Sequence, residues 1–302
     1  FYFIALLPVS HIIPIVTQLN DRYLYYPMVA VSGIIAHMLS RLWGDSKGRW
    51  QKARIMAPPA AFLLIAILAF STYERNRVWE NGFTLWTDAA AKDPDFASPH
   101  AALGEIYMHK EMLDQAEREL LKSIELDPKQ LMPYVNVSAV YYQMKRWKDA
   151  AIYAEKAVAI EPRNAEARSN LGAAYKELGR YEEALFHLSM AVRMDPDNDG
   201  MNYNLALVYY KTSRYDDAAR ILEGMLRKTP YDLAVLVLLA VNYEKIGKDW
   251  KIEEIYLSAI KAKPEDHLLY YNLACFYAKH GKPEKAIPAL RDALEKGMHN
   301  PD

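Results

Sequence analysis

The chain has 302 residues, which at roughly 100–200 residues per domain makes it long for one compact unit and suggests two. Its 37 basic and 38 acidic residues leave a net charge of −1, so no global field favours nucleic acid or an acidic substrate. Cys275 is the single cysteine, which excludes an internal disulfide and any CxxC or Cys/His zinc arrangement.

The chain opens Phe1-Tyr2-Phe3, inside an apolar stretch with neither an initiator Met nor the basic flank of a signal peptide. It reads as the C-terminal part of a longer protein, with Phe1–Val9 the tail of an earlier hydrophobic segment. Residues 23–42 begin just after Arg22, hold Arg41 only at their far end and number about twenty, enough at 1.5 Å per residue to span a hydrocarbon core of about 30 Å. Residues 55–73 are as long and carry no charge, with Pro58 and Pro59 in the first turn, where missing amide donors cost little. Both are expected to be transmembrane helices of a membrane region covering 1–73. The competing reading of such runs is a helix buried in a globular core.

The loop between these segments holds Arg41, Lys47, Arg49, Lys52 and Arg54 against one acid, Asp45. The positive-inside rule then puts that loop in the cytoplasm and everything after Tyr73 on the periplasmic or luminal side. Tyr23, Tyr25, Tyr26 and Tyr73 would form the outer aromatic belt, and Trp43 and Trp50 the inner one. Composition changes once, near Glu74, from apolar to charge-rich and Ala-rich. A connecting helix with Trp86 and Ala89, closed by Pro94, is expected within 74–96.

From there the sequence repeats. Pro94, Pro128, Pro162, Pro196, Pro230 and Pro264 recur every 34 residues. Tyr107, Tyr141, Tyr175, Tyr209, Tyr243 and Tyr277 keep the same interval, as do Leu103, Val137, Leu171, Leu205, Leu239 and Leu273. Small residues follow suit at Gly104, Ser138, Gly172, Ala206, Ala240 and Ala274, and at Ala116, Ala150, Ala184, Ala218 and Ala286. This matches the tetratricopeptide (TPR) pattern of 34 residues per helix–turn–helix. Small side chains let the paired helices approach, Tyr and Leu fill the gap between them, and proline stops the second helix. The resemblance implies an all-α chain in which six repeats, 97–130, 131–164, 165–198, 199–232, 233–266 and 267–300, form a right-handed solenoid. The fifth repeat departs from the pattern with Ile252 in place of alanine and Gly247-Lys248-Asp249-Trp250 at its turn, so looser packing is expected there.

Little points to chemistry. HExxH, GxSxG and a phosphate-binding glycine loop are all missing from the sequence, and the eight histidines are scattered with no i, i+4 pair on a helix. No cofactor and no metal are expected. Gly44-Asp45-Ser46 is a coincidental tripeptide in the basic loop, and Glu182-Glu183 and Asp216-Asp217 fall at helix starts, where they complement the helix dipole.

The block Asn20-Asp21-Arg22-Tyr23-Leu24-Tyr25-Tyr26-Pro27 and the segment Trp79-Glu80-Asn81-Gly82-Phe83-Thr84-Leu85-Trp86 carry a second resemblance. They are similar to the end of the membrane domain, and the entry into the repeats, of integral-membrane C-superfamily glycosyltransferases with C-terminal TPRs, the transmembrane-and-TPR O-mannosyltransferases and their bacterial relatives. That resemblance implies protein O-glycosylation from a lipid-linked sugar. The acidic residues credited with catalysis in that family lie upstream of this block, so no catalytic residue is assigned here. Arg22 could bind the phosphate of a polyprenyl-phosphate sugar through its bidentate guanidinium, or serve as an interfacial anchor paired with Asp21. A membrane-tethered TPR scaffold for assembling protein complexes, with no chemistry of its own, is the other reading.

For the repeats, a protein or extended peptide is the expected partner, held in the groove lined by the first helix of each repeat. The residue before the recurrent leucine reads Asn136, Asn170, Asn204 and Asn272, broken at Ala102 and Leu238. An amide offers donors and an acceptor, so a ladder of asparagines could pair with a peptide backbone without reading its side chains. The ladder resembles the one in O-linked N-acetylglucosamine transferase. It does not resemble the carboxylate clamp of chaperone-tail binders, whose basic residues are replaced by Ala101, Val135 and Glu166. Tyr203, Leu207 and Val241 would supply the apolar part of the groove.

Overall fold

The computed structural model describes residues 77–297 and, ahead of them, the helical positions 63, 66, 67, 70 and 73. Arg22, the predicted span at 23–42 and most of that at 55–73 lie outside the described residues. No helix among the described residues is long and apolar enough to cross a membrane. The chain divides into two compact units, residues 1–99 and 100–302.

In the first unit, helix α1 runs Gly82–Lys92. Asn81 starts it with a capping box, its side chain accepting from the Thr84 amide at 3.0 Å while the Thr84 hydroxyl accepts from the Asn81 amide at 3.3 Å. Pro94 stands two residues beyond its end, where a helix cannot continue.

Twelve further helices come in pairs: α2 (Ala97–His109) with α3 (Leu113–Leu126), α4 (Leu131–Gln143) with α5 (Trp147–Ile160), α6 (Ala165–Glu177) with α7 (Tyr181–Met194), α8 (Asp199–Lys211) with α9 (Tyr215–Lys228), α10 (Leu233–Lys245) with α11 (Trp250–Ala262), and α12 (His267–Lys279) with α13 (Pro283–Glu295). Side-chain caps fix where the first helices begin: Asn164, Asn198, Asp232 and Asp266 each accept from a backbone amide two or three residues on, at 2.8–3.1 Å. The turn inside every repeat puts one residue in the left-handed region. Gly179, Gly247 and Gly281 fill it freely, whereas Glu111, Lys145 and Ser213 hold it at φ 59–60°.

The small-residue positions explain how the pairs close. A Cβ on Gly104 would sit 2.4 Å from Leu120 Cγ, and one on Gly172 2.6 Å from Leu188 Cγ, so the leucine of the second helix occupies the space that glycine vacates. Ala116, Ala150, Ala184 and Ala218 are buried beside them. Each first helix also packs on the second helix of the preceding repeat, and one apolar core runs from Ala116 to Val208 and another from Ala206 to Ala289. First helices of successive repeats from α4 to α12 touch one another, whereas the second helices make no comparable mutual contact. The stack therefore curves with its first helices on the inner face. In the fifth repeat, α10 and α11 approach over a much shorter stretch than the pairs of the third or sixth, and buried Ile252 stands between them where every other repeat has alanine.

Candidate functional site

The inner face of repeats two to four is laced with polar contacts between neighbouring first helices. Asn136, on α4, is buried. Asn170, one repeat on, donates from Nδ2 to the Val135 carbonyl at 3.2 Å and to the Ser138 hydroxyl at 3.0 Å, both on α4. Asn204 accepts at Oδ1 from Lys176 Nζ at 3.0 Å, bridging α8 to α6. Lys176 also pairs with Glu177 at 3.2 Å, and Glu177 accepts from the Tyr142 hydroxyl on α4 at 3.1 Å. Burial first, and the Glu177 charge second, push the Tyr142 phenol up to about 12, so it stays a donor.

The fourth asparagine is oriented differently. Asn272 donates back to the Leu268 carbonyl of its own helix at 2.8 Å. The amides at 170, 204 and 272 thus spend part of their hydrogen-bonding capacity within the protein. Sequence position alone cannot reveal this, because the partners Val135, Ser138 and Lys176 belong to other repeats or other turns.

Tyr203 and Leu207 are half-buried against the core at the α8–α10 junction, and Val241 is half-buried on α10. Burial, then the Asp232 carboxylate, raises the Tyr203 phenol above its ordinary value. Beside Asn204, a polar depression of about 490 Å³ opens between the starts of α6 and α8, lined by Asn164, Glu166, Ser169, Asp195, Asn198 and Met201 among others. Glu166 and Asp195 bring two carboxylates to its wall and no lysine or arginine lines it, so a cationic side chain or peptide amide suits it better than an anion.

A second device was not read from the sequence. The recurrent tyrosine reaches back to a glutamate on the second helix of the preceding repeat: Tyr141 to Glu117 at 2.8 Å, Tyr175 to Glu155 at 2.6 Å, Tyr243 to Glu223 at 2.5 Å and Tyr277 to Glu253 at 2.9 Å. A basic side chain covers each ring, with Arg146, Arg180, Lys251 and Lys285 lying 4.0–5.3 Å from the centroids. Arg146, Lys251 and Lys285 also bind the same glutamate as the tyrosine. At the junction of the third and fourth repeats the two glutamate positions are Leu185 and Ser189, and Tyr209 makes no such bond. The clasp ties neighbouring repeats together at four junctions.

Solved structures share this architecture. The chain is similar to the APC/C hetero-tetramer Cut9–Hcn1 with a TM-score of 0.56 and 17% identity, over 73% of this chain and 44% of that one. A tetratricopeptide repeat protein from Parabacteroides merdae gives 0.54 at 15% identity over 80% and 95% of the two chains, and pilF of Pseudomonas aeruginosa 0.54 at 22% over 66% and 90%. At these identities the likeness is one of fold. This chain spans less than half of the matched Cut9–Hcn1 chain. No curated protein matches it. Residues 52–302, most of the chain, match the family described as the cilia and flagella-associated protein 70 C-terminal domain. With six helix pairs at a 34-residue period behind that match, the chain belongs to the family of the cilia and flagella-associated protein 70 C-terminal domain, and its repeats are tetratricopeptide repeats.

Proposed function

We propose that this protein is a polypeptide-binding module that takes an extended segment of a partner protein along the inner face of its first helices, centred on repeats two to four. The observation that carries the reading is the run Asn136, Asn170 and Asn204 on three successive first helices, beside the polar depression at Asn204. Asn170 uses its amide nitrogen on α4 and Asn204 its oxygen on Lys176, which leaves the Asn170 oxygen to meet a peptide N–H and the Asn204 nitrogen to meet a peptide C=O. Repeats advance by about 10 Å and an extended strand by about 3.3 Å per residue, so each asparagine addresses about every third residue.

A fluorescein-labelled, unstructured Ser/Thr-rich peptide, titrated into the full chain, tests this. The triple variant Asn136→Ala, Asn170→Ala, Asn204→Ala should bind more weakly by about 0.5–1.5 kcal/mol per lost hydrogen bond. Asn170→Ala alone, followed by thermal melting, separates lost peptide contacts from lost stacking on α4. Equal affinity for wild type and triple variant would refute the ladder and leave Tyr203, Leu207 and Val241 as the binding surface.

The finer proposal is that residues 23–42 and 55–73 anchor the module in a membrane, with the repeats on the periplasmic or luminal side, as part of a lipid-linked-sugar protein O-glycosyltransferase in which Arg22 binds the donor's phosphate. Its support is the apolar length of the two segments, the basic loop between them and the resemblance of the Asn20–Pro27 block. Recovery of the chain in the soluble fraction after alkaline extraction would sink the anchoring. Unchanged turnover of the full-length enzyme in both Arg22→Ala and Arg22→Lys would return Arg22 to the anchor role.

A further inference from the structure

The groove between the two helices of each repeat recurs six times, and at junctions from α3 onward the next first helix fills it: α4 lies on α3, α6 on α5, α8 on α7, α10 on α9 and α12 on α11. On repeat six no helix among the described residues fills the same groove. Leu120, Leu188 and Leu222 are fully buried at a position where Leu290 is 41% exposed, and Ala151 and Ala219 are 4% exposed where Ile287 is 61% exposed. Tyr271, Cys275, Ala278, Pro283, Ile287 and Leu290 are among the residues lining a depression of about 390 Å³, apolar nearly throughout. The chain thus shows what kind of object this groove receives, an amphipathic α-helix laid across both helices of the pair.

Charge narrows the occupant further. At four junctions the incoming helix brings a tyrosine whose hydroxyl meets Glu117, Glu155, Glu223 or Glu253. Those glutamates occupy two positions one helical turn apart, and on repeat six these positions are Ile287 and Arg291. The acceptor has been replaced by an apolar side chain and a cation. A second copy stacked end to end would bring Tyr107 towards Arg291 in place of a carboxylate, so self-stacking loses the clasp that four of the five internal junctions possess.

We propose that the open face of repeat six docks an amphipathic helix from a partner protein, with an acidic residue where the chain's own first helices carry tyrosine. This surface is separate from the inner groove and goes beyond the peptide-binding reading.

The test uses the full chain and a helix-stapled, labelled peptide of residues 165–177, which is α6, the occupant of the same groove on repeat two. A second version carries Tyr175→Glu. The acidic version should bind about tenfold more tightly than the native one, the scale of one new close charge pair. It should also protect Cys275, the chain's only cysteine, which is exposed in the groove, from alkylation. Ile287→Asp should weaken binding at least about tenfold, and Arg291→Glu should invert the preference between the peptides. Both side chains are exposed, and unchanged circular dichroism verifies that each variant folds. Equal binding of the two peptides, or binding indifferent to Ile287→Asp, would overturn the proposal. So would sedimentation showing a dimer that Ile287→Asp dissociates, because a second copy would then be the occupant.

Discussion

The third and fifth repeats are built from the same 34-residue plan and close differently. In the third, Gly172 lets Leu188 pack against the backbone of α6 and Ala184 adds no bulk, so α6 and α7 stay close along their length. In the fifth, Ile252 and Tyr256 stand where the third repeat has Ala184 and Leu188, and α10 and α11 share only a short close approach. Two polar atoms are stranded there as well. Asn242 is fully buried and donates to the Leu238 carbonyl at 2.7 Å, but its oxygen has no partner; Asp249 lies just before α11 without capping it, and one of its carboxylate oxygens is buried and unpaired. Trp250, the first residue of α11, is 68% exposed. A repeat array is held together by intrinsic repeat stability plus neighbour interfaces, so the fifth repeat is the weak link of this one.

The largest expected effect sits in the tight repeat. Tyr175→Ala removes a buried ring and its bond to Glu155 and should cost about 3–5 kcal/mol, read as a loss of thermal stability. An unchanged melting temperature would mean that the third repeat is not the firm one. The same hydroxyl makes the array sensitive to alkali. Burial first, then the hydrogen bond to Glu155, push the Tyr175 phenol up to about 12 from an ordinary 10.0. A raised folded pKa gives stability that is fully present below 10.0 and is lost as pH rises from there through about 12. Tyr175→Phe should flatten that part of the stability profile.

In the loose repeat the sign reverses. The residues equivalent to Asn242 are Val140, Ala174 and Val208, all buried and apolar. Asn242→Val removes an unpaired buried oxygen without changing the shape much, and should stabilise the chain by about 1–3 kcal/mol in denaturant melts. If it destabilises instead, the oxygen has a partner that the packing hides, and the weak-link reading fails.

Much of this contrast is legible in the sequence and some is not. The prolines, tyrosines and small residues fix the register of the repeats, and Ile252 flags the fifth as irregular before any coordinates are known. The tyrosine clasp escapes the pattern because its glutamate alternates between two positions, Glu117 and Glu253 at one, Glu155 and Glu223 at the other. Aligned repeats then show no conserved-looking column, although one helical turn makes the two places neighbours on the same face. The asparagine run is equally visible and equally incomplete. Spacing reveals Asn170 and Asn204, but only the stack shows that they bond to Val135, Ser138 and Lys176. Asn242 could have been suspected as a polar residue on an apolar face; that its oxygen is orphaned depends on how α10 and α11 meet.

The smallest effect isolates the helix packing from the turn. Gly179 in the third repeat and Gly247 in the fifth hold the same place in the turn at φ 74° and 69°, and a Cβ at either would meet nothing within 4 Å. Any cost of adding one is therefore conformational. Left-handed backbone costs an L-residue about 1–2 kcal/mol, partly offset because alanine restricts the unfolded chain more than glycine does, by about 0.4–1 kcal/mol. Gly179→Ala and Gly247→Ala should each lower stability by about 1 kcal/mol, and by the same amount. Lys145→Gly, at the equivalent turn of the second repeat with φ 60° and an exposed side chain, should raise it by a similar amount, since it relieves the strain that the glycines avoid. Urea melts of the three variants decide the matter. Equal costs at 179 and 247 locate the weakness of the fifth repeat between α10 and α11, where Ile252 and Asn242 lie. A much smaller cost at 247 would show that its turn has already loosened, and would move the origin of the weakness from the helix interface to the Gly247–Trp250 connection.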